Sequence, residues 1–222
     1  MAEGGWVDAE GRRQGKWTEY YNTGEKRSEG EYENGLRVGK WTYFHRNGKV
    51  EQTGRYSRGE PDGPWVWYYD TRMVRKEENF FRGLEDGESI EYSDSGKVIA
   101  QGEYIEGYRE GKWFFDIGDH REEGEFTEGE KNGIWKQYYT DTGQLQFEGG
   151  YVLGAEDGKH VYYYPNGKVW KRGKYIMGLE TGTWIYYDSL GEISLYIYFE
   201  NGKEIRYDGI PVDDLLGKEE EN

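Results

Sequence analysis

Gly35-Leu36-Arg37-Val38-Gly39-Lys40-Trp41-Thr42-Tyr43-Phe44-His45-Arg46-Asn47-Gly48-Lys49-Val50-Glu51-Gln52-Thr53-Gly54-Arg55-Tyr56-Ser57-Arg58 is the stretch that decides the fold. It opens on two glycines with three residues between them, places a tryptophan two residues after the second, and is followed by Gly59, where the order begins again. Working outward, the pair recurs as Gly11/Gly15, Gly35/Gly39, Gly59/Gly63, Gly83/Gly87, Gly107/Gly111, Gly129/Gly133, Gly154/Gly158 and Gly178/Gly182. The column two residues later reads Trp17, Trp41, Trp65, Ser89, Trp113, Trp135, His160 and Trp184, a period of about 24 residues. Seven residues past it stand Gly24, Gly48, Gly96, Gly167 and Gly191, with Gly143 one place late. Eight further on comes a ring: Tyr32, Tyr56, Tyr104, Tyr151, Tyr175 or Phe199. A period of this length marks stacked supersecondary units, each buried only against its neighbours.

Each unit reads as a β-hairpin. Trp17 to Tyr21 and Trp184 to Tyr187 are rich in the aromatic and β-branched types that suit pleated strands. Asn47-Gly48, Asn166-Gly167, Thr23-Gly24 and Ser95-Gly96 then mark turns in which glycine supplies the positive φ of a primed hairpin. A more polar strand such as Lys26 to Tyr32 returns to the next glycine pair. The expectation is an all-β fold: an elongated, single-layer, twisted antiparallel sheet of eight stacked hairpins and about seventeen strands, roughly 75–80 Å long at about 4.8 Å per strand. Residues 1–10 then form an N-terminal cap, 11–202 the repeats, and 203–222 a C-terminal cap with an acidic tail.

Composition supports a folded chain held by rings. Of 222 residues, Leu, Ile, Val and Phe supply only 38, and the net charge is −15, a combination typical of disorder. Nine Trp, 22 Tyr and 8 Phe argue otherwise, since each ring buries roughly 150–250 Å². The absence of cysteine excludes disulfides, thiolate metal sites and a cysteine nucleophile. No run of about 18 apolar residues is present, so the chain reads as soluble. Met1-Ala2-Glu3-Gly4-Gly5 has neither a basic nor an apolar leader region, which reads as cytoplasmic, or as exported if a leader was removed.

The recurrent Gly-x-x-x-Gly-x-Trp-x-x-Tyr, followed by Asn-Gly-Lys and Gly-x-Tyr, resembles MORN repeats, and its spacing is similar to the bacterial variant found in YwqK-family antitoxins. The resemblance implies a twisted sheet bent into a shallow gutter and used for protein contacts. It also implies a non-enzymatic role. Phospholipid binding, proposed for the family, is disfavoured here by the charge. Ser89 and His160 depart from the tryptophan column, Arg72 and His120 stand where the turn glycine belongs, and the unit from Trp113 is two residues short.

Catalytic chemistry finds no footing. His45, His120 and His160 fall at different places in different repeats, and Ser89 and His160 lie three repeats apart, too far for a nucleophile and base. Three residues between glycines, rather than four, exclude a phosphate-binding P-loop. The carboxylates Asp62, Glu85, Asp86, Glu156 and Asp157 inside glycine pairs read as solvated turns rather than a calcium site. No catalytic residue, metal or cofactor is expected, and the acidic balance disfavours nucleic acid.

What remains is a surface. Positions two and four past the tryptophan column share its face, which carries Tyr43, Trp67, Tyr69, Phe115, Tyr139, Tyr162, Tyr164 and Tyr186. Trp17, Trp41, Trp65, Trp113, Trp135 and Trp184 are its structural columns. Aromatic strips of this kind suit protein interfaces. The expectation is therefore a scaffold holding a partner protein on that face, with acidity setting charge complementarity. A carbohydrate- or small-ligand-binding sheet, a toxin-neutralising antitoxin, and a subunit of an envelope or secretion assembly are the alternatives. Ile210 to Leu216, an acidic-apolar stretch, reads as a cap or a docking segment.

Overall fold

The computed structural model describes residues 2–118, 120–208 and 210–211, and every regular element among them is a β-strand. Contacts divide the chain into two units, Met1–Glu110 and Gly111–Asn222. In the first, Ala2–Val7 pairs with Arg13–Tyr20, and the order then follows the chain through Lys26–Glu33, Leu36–Phe44, Val50–Ser57, Gly63–Tyr68, Val74–Phe81, Leu84–Tyr92 and Val98–Ile105. In the second, Gly111 to Ile117 pairs with His120–Thr127, followed by Glu130–Tyr139, Leu145–Val152, Ala155–Tyr163, Val169–Ile176, Leu179–Tyr187, Ile193–Glu200 and Lys203–Tyr207. Each is an antiparallel sheet in hairpin order. The expected terminal segment lies outside the described residues from Val212 onward; Ile210 and Pro211 pair with Tyr207 and Arg206.

Two kinds of turn alternate, and they exchange the places the spacing predicts. On one edge, from Gly35 onward, the residue before each pair's first glycine and the glycine itself both have positive φ: 52° and 80° at Asn34-Gly35, 48° and 80° at Met177-Gly178. Two such residues in a row make the type I′ turn. On the other edge, Gly48 has φ 78° while Asn47 is not left-handed, and the Gly48 and His45 amides donate to the carbonyls of His45 and Lys49. This is a three-residue loop ending in a left-handed glycine, not a primed turn. Arg72 does occupy that glycine position, at φ 79°. His120 does not: Gly118 carries φ 69°, and His120 opens its strand opposite Ile117. The short repeat thus closes across two residues, which accounts for its missing length.

The second glycine of each pair lies within a strand. Pairing runs Glu29 to Thr42, then Glu31 to Val38, so Gly39, Lys40 and Trp41 stand opposite Gly30 alone. This bulge drops the tryptophan onto the neighbouring strand. A β-carbon at Gly30 would overlap the Trp41 indole, as one at Gly54 would overlap Trp65, at Gly124 Trp135, and at Gly173 Trp184. The indoles of Trp41, Trp65 and Trp135 also donate to the carbonyls one residue on, Glu31, Arg55 and Glu125, at 3.0–3.2 Å. Trp41, Trp65, Trp113, Trp135 and Trp184 are buried, whereas Trp17, near the start of the array, is half-exposed.

One repeat inverts this arrangement. Ser89 stands in the tryptophan column and Glu78 in the glycine column; the two pair across the strands, and the Ser89 hydroxyl donates to Glu78 at 3.2 Å. Lys76 closes an ion pair with Glu78 at 2.7 Å. The large side chain has moved to the other strand, and its buried charge is matched.

Replacing Gly54 by Ala should lower stability by about 1–3 kcal/mol, because the Trp65 indole has to yield. Equal urea midpoints for variant and wild type would show that the indole does not rest on that glycine. Replacing Arg72 by Gly should raise stability by about 1 kcal/mol, since the left-handed conformation then carries no side-chain penalty. The same unfolding curve reads the sign.

Candidate functional site

The tryptophan column and the ring column interlock edge to face. Trp41 meets Tyr32 at 5.1 Å and 88° and Tyr56 at 5.9 Å and 80°, and Tyr56 then meets Trp65 at 5.1 Å and 89°. In the second unit Phe126 lies 4.9 Å from Trp135, and Trp184 meets Tyr175 at 5.2 Å and Phe199 at 6.2 Å. Such geometry sets the positive ring edge against the negative ring face.

The predicted partner-binding residues lie on this ladder in two distinct layers, and all eight are half-buried. Tyr43, Trp67, Phe115, Tyr162 and Tyr186, two past the column, flank the tryptophans: Tyr43 lies 6.0 Å from Trp41 and 6.3 Å from Trp65, Phe115 5.5 Å from Trp113, and Tyr162 6.4 Å from Trp184. Tyr69, Tyr139 and Tyr164, four past the column, reach out of their repeat. Their hydroxyls donate to the carbonyls of Tyr92, Tyr163 and Tyr187 at 2.7–2.8 Å. Tyr21 does the same to Phe44, and the His45 ring does so toward the Tyr68 carbonyl at 3.1 Å. These residues staple each loop to the next repeat. The opposite edge has its own staple, in which the amides of Gly59, Gly83 and Gly178 donate to Arg37, Pro61 and Glu156 one repeat back.

Cations cover the ring faces, a feature hidden in the sequence because it needs the strand register. Arg37 stands directly opposite Tyr32, Lys131 opposite Phe126. The Arg37 guanidinium lies 4.7 Å from the Trp41 ring and 5.5 Å from Tyr56; Lys131 lies 3.9 Å from Trp135. Lys171 is surrounded by Tyr162, Trp170, Trp184 and Tyr186 at 4.6–5.9 Å. Burial pushes the Lys171 ammonium below its usual pKa, with Glu180 opposing. Arg13 lies over Trp17 at 4.7 Å and pairs with Glu19 at 2.7 Å. Burial opposes ionisation of Glu19, but the Arg13 guanidinium and the Ser28 hydroxyl hold its carboxyl below the usual range. Burial, then the neighbouring Tyr56 hydroxyl at 2.9 Å, pushes the Tyr43 phenol up. Neither Arg37 nor Lys171 forms an ion pair with a described residue.

Among the described residues, no group of three His, Asp or Glu is placed to hold a metal. The loop acids act on the backbone instead: Asp86 and Asp157 accept from the amides of Glu106 and Met177, which precede the next glycine pair. No helix is long and apolar enough to cross a membrane. His160 is buried beneath Tyr175 at 4.6 Å and beside Phe147 at 5.4 Å, with its Nε2 unpartnered.

Compared with known families, residues 13–34, 37–57, 85–106 and 156–177 match the MORN repeat variant. No curated protein sequence matches the chain. Among solved structures, it is similar at 14% identity and a TM-score of 0.21 to a GtfA/B complex bound to UDP and GlcNAc, over 44% of this chain and 19% of that one. It is similar at 12% identity and a TM-score of 0.20 to the Photorhabdus luminescens Tc holotoxin pore carrying TccC3-D651A, over 86% of this chain and 11% of that one. The chain thus spans less than a fifth of either structure's length.

Burial holds the His160 pKa below its ordinary value. The unfolded chain takes up a proton near pH 6.5 that the folded one refuses, so this contribution is complete above that pH and is lost as pH falls through it. Between about pH 7.5 and about pH 5.5 the wild type should lose stability. A His160→Phe variant should lose less, and equal slopes in urea unfolding would place the effect elsewhere.

Proposed function

We propose that this chain, a MORN-repeat protein, is a non-enzymatic scaffold that holds a partner protein on the tryptophan face of its sheet. One observation carries the reading: the rings two past the column are half-buried, and Tyr43, Trp67, Phe115 and Tyr162 each lie against a buried tryptophan while keeping part of their surface exposed. A ring held rigid on one flank loses little conformational freedom when a partner covers the other, which is how Tyr and Trp act as interface anchors. Arg37 and Lys171 add charge on the same face without an ion pair to any described residue. These local cations, rather than the net charge of −15, are what a partner meets there. Sugar stacking is less well supported, because it needs open ring faces and Trp41, Trp135 and Tyr162 have cations over theirs.

The test is affinity capture from the native extract at about 0.15 M salt. The combined variant Trp67→Ala, Phe115→Ala, Tyr162→Ala is compared with Tyr68→Ala, Tyr138→Ala, Tyr187→Ala on the other face, both checked for β-structure by circular dichroism. The expected result is a partner retained by the wild type and the second variant and lost by the first. A partner that ignores the first variant, or leaves with the second, contradicts the reading.

A further inference from the structure

The loops of the second and third repeats line a cavity on the face opposite the ring ladder. Gly48, Lys49, Val50, Thr53, Tyr68 and Arg72 border an open hollow of about 390 Å³. Thr53 pairs across the strands with Thr42 and Val66, whose positions one past the column place them on that opposite face. Two cations, two hydroxyls and a valine therefore converge, with no carboxylate in the lining. None of the four polar side chains, Lys49, Thr53, Tyr68 or Arg72, makes a hydrogen bond or ion pair with a described residue.

Arg72 is the informative member. The equivalent loop position is Gly24, Gly48, Gly96, Gly143, Gly167 or Gly191 elsewhere, with φ between 69° and 99°. At φ 79°, Arg72 adopts a conformation that costs an L-residue about 1–2 kcal/mol. Among the described residues, its guanidinium forms no hydrogen bond, ion pair or ring contact. Nine other non-glycine residues are left-handed too, most of them in the type I′ turns, so what sets Arg72 apart is a charge at the rim of the hollow with no partner among the described residues.

We propose that this cavity binds the phosphate group of a small soluble phosphate ester. A phosphate ester is close to a dianion near neutral pH, which two converging cations match. Arginine supplies a planar fork and lysine a point charge, the pair of donors that phosphate oxygens favour. The Thr53 and Tyr68 hydroxyls complete the donor set, and the volume leaves room for an organic body against Val50 and the Tyr68 ring. A chain of net charge −15 repels a polyanion, so the ligand is a small molecule rather than a nucleic acid. This site is independent of the scaffold reading and on the other face.

Glycerol 3-phosphate is titrated into the 222-residue chain, with glycerol as the uncharged control, and the backbone amides of Gly48, Lys49 and Val50 are followed by NMR. Saturable shifts with the phosphate and none with glycerol are expected. Arg72→Gly should weaken binding at least about tenfold, the loss of one charge-assisted contact. Because the same variant should be more stable than the wild type, weaker binding cannot be ascribed to misfolding. Lys49→Met should also weaken it. The proposal is overturned if the ester produces no saturable shift, if Arg72→Gly binds as tightly as the wild type, or if the chain binds anionic lipid vesicles but not the soluble ester.

Discussion

The indole lying on a glycine of the adjacent strand is the contact on which the rest of the structure depends. A single-layer sheet has no second layer to cover its apolar surface, so the rings must bury themselves within the layer. They do this because the bulge at the second glycine of each pair sets three residues against one, tilting Trp41 onto Gly30 and Trp65 onto Gly54. Any side chain at those glycines would hold the indole off the strand. The indole N–H of Trp41, Trp65 and Trp135 then finds the carbonyl beside the glycine, so a large amphipathic group is buried with its polar atom satisfied, whereas that of Trp184 meets no acceptor among the described residues.

From that contact the interlocking follows within each unit. Trp41, Trp65 and Trp184 each rest between a ring of the preceding hairpin and one of their own, and stability accumulates as a sum of neighbour terms. Two rows of hydrogen bonds hold the register at the edges, glycine amides on one and tyrosine hydroxyls on the other. The consequence for function is a division of labour among residues that look alike in the sequence. Tyr69, Tyr139 and Tyr164 spend their hydroxyls on the next repeat, while Tyr43, Trp67, Phe115 and Tyr162 lie against the buried tryptophans and stay half-exposed.

The departures from the repeat obey the same constraint. Where Ser89 replaces the tryptophan, the glycine beneath is no longer required, and Glu78 fills the space with Lys76 to match its charge. Where His160 replaces it, Gly149 stays, because an imidazole still lies over that strand. Arg72 follows a different logic: its loop needs a left-handed residue, and an arginine meets that need at φ 79° where the other repeats place glycine.

By itself the sequence determined the hairpin, its period, the buried tryptophan column and the face on which the rings lie, because each is a matter of local spacing and period-2 alternation. It did not determine which turn is primed, since both edges carry a glycine and only strand pairing shows whether two or three residues close the loop. It hid the cations over the rings, because Arg37 meets Tyr32 and Lys131 meets Phe126 only after the strands pair. It also could not separate the stapling tyrosines from the rings that pack on the tryptophans, because Tyr69 and Trp67 lie two residues apart on one face and differ only in what the neighbouring strands bring to them. Register is a property of the paired strands, and what each side chain touches waited on it.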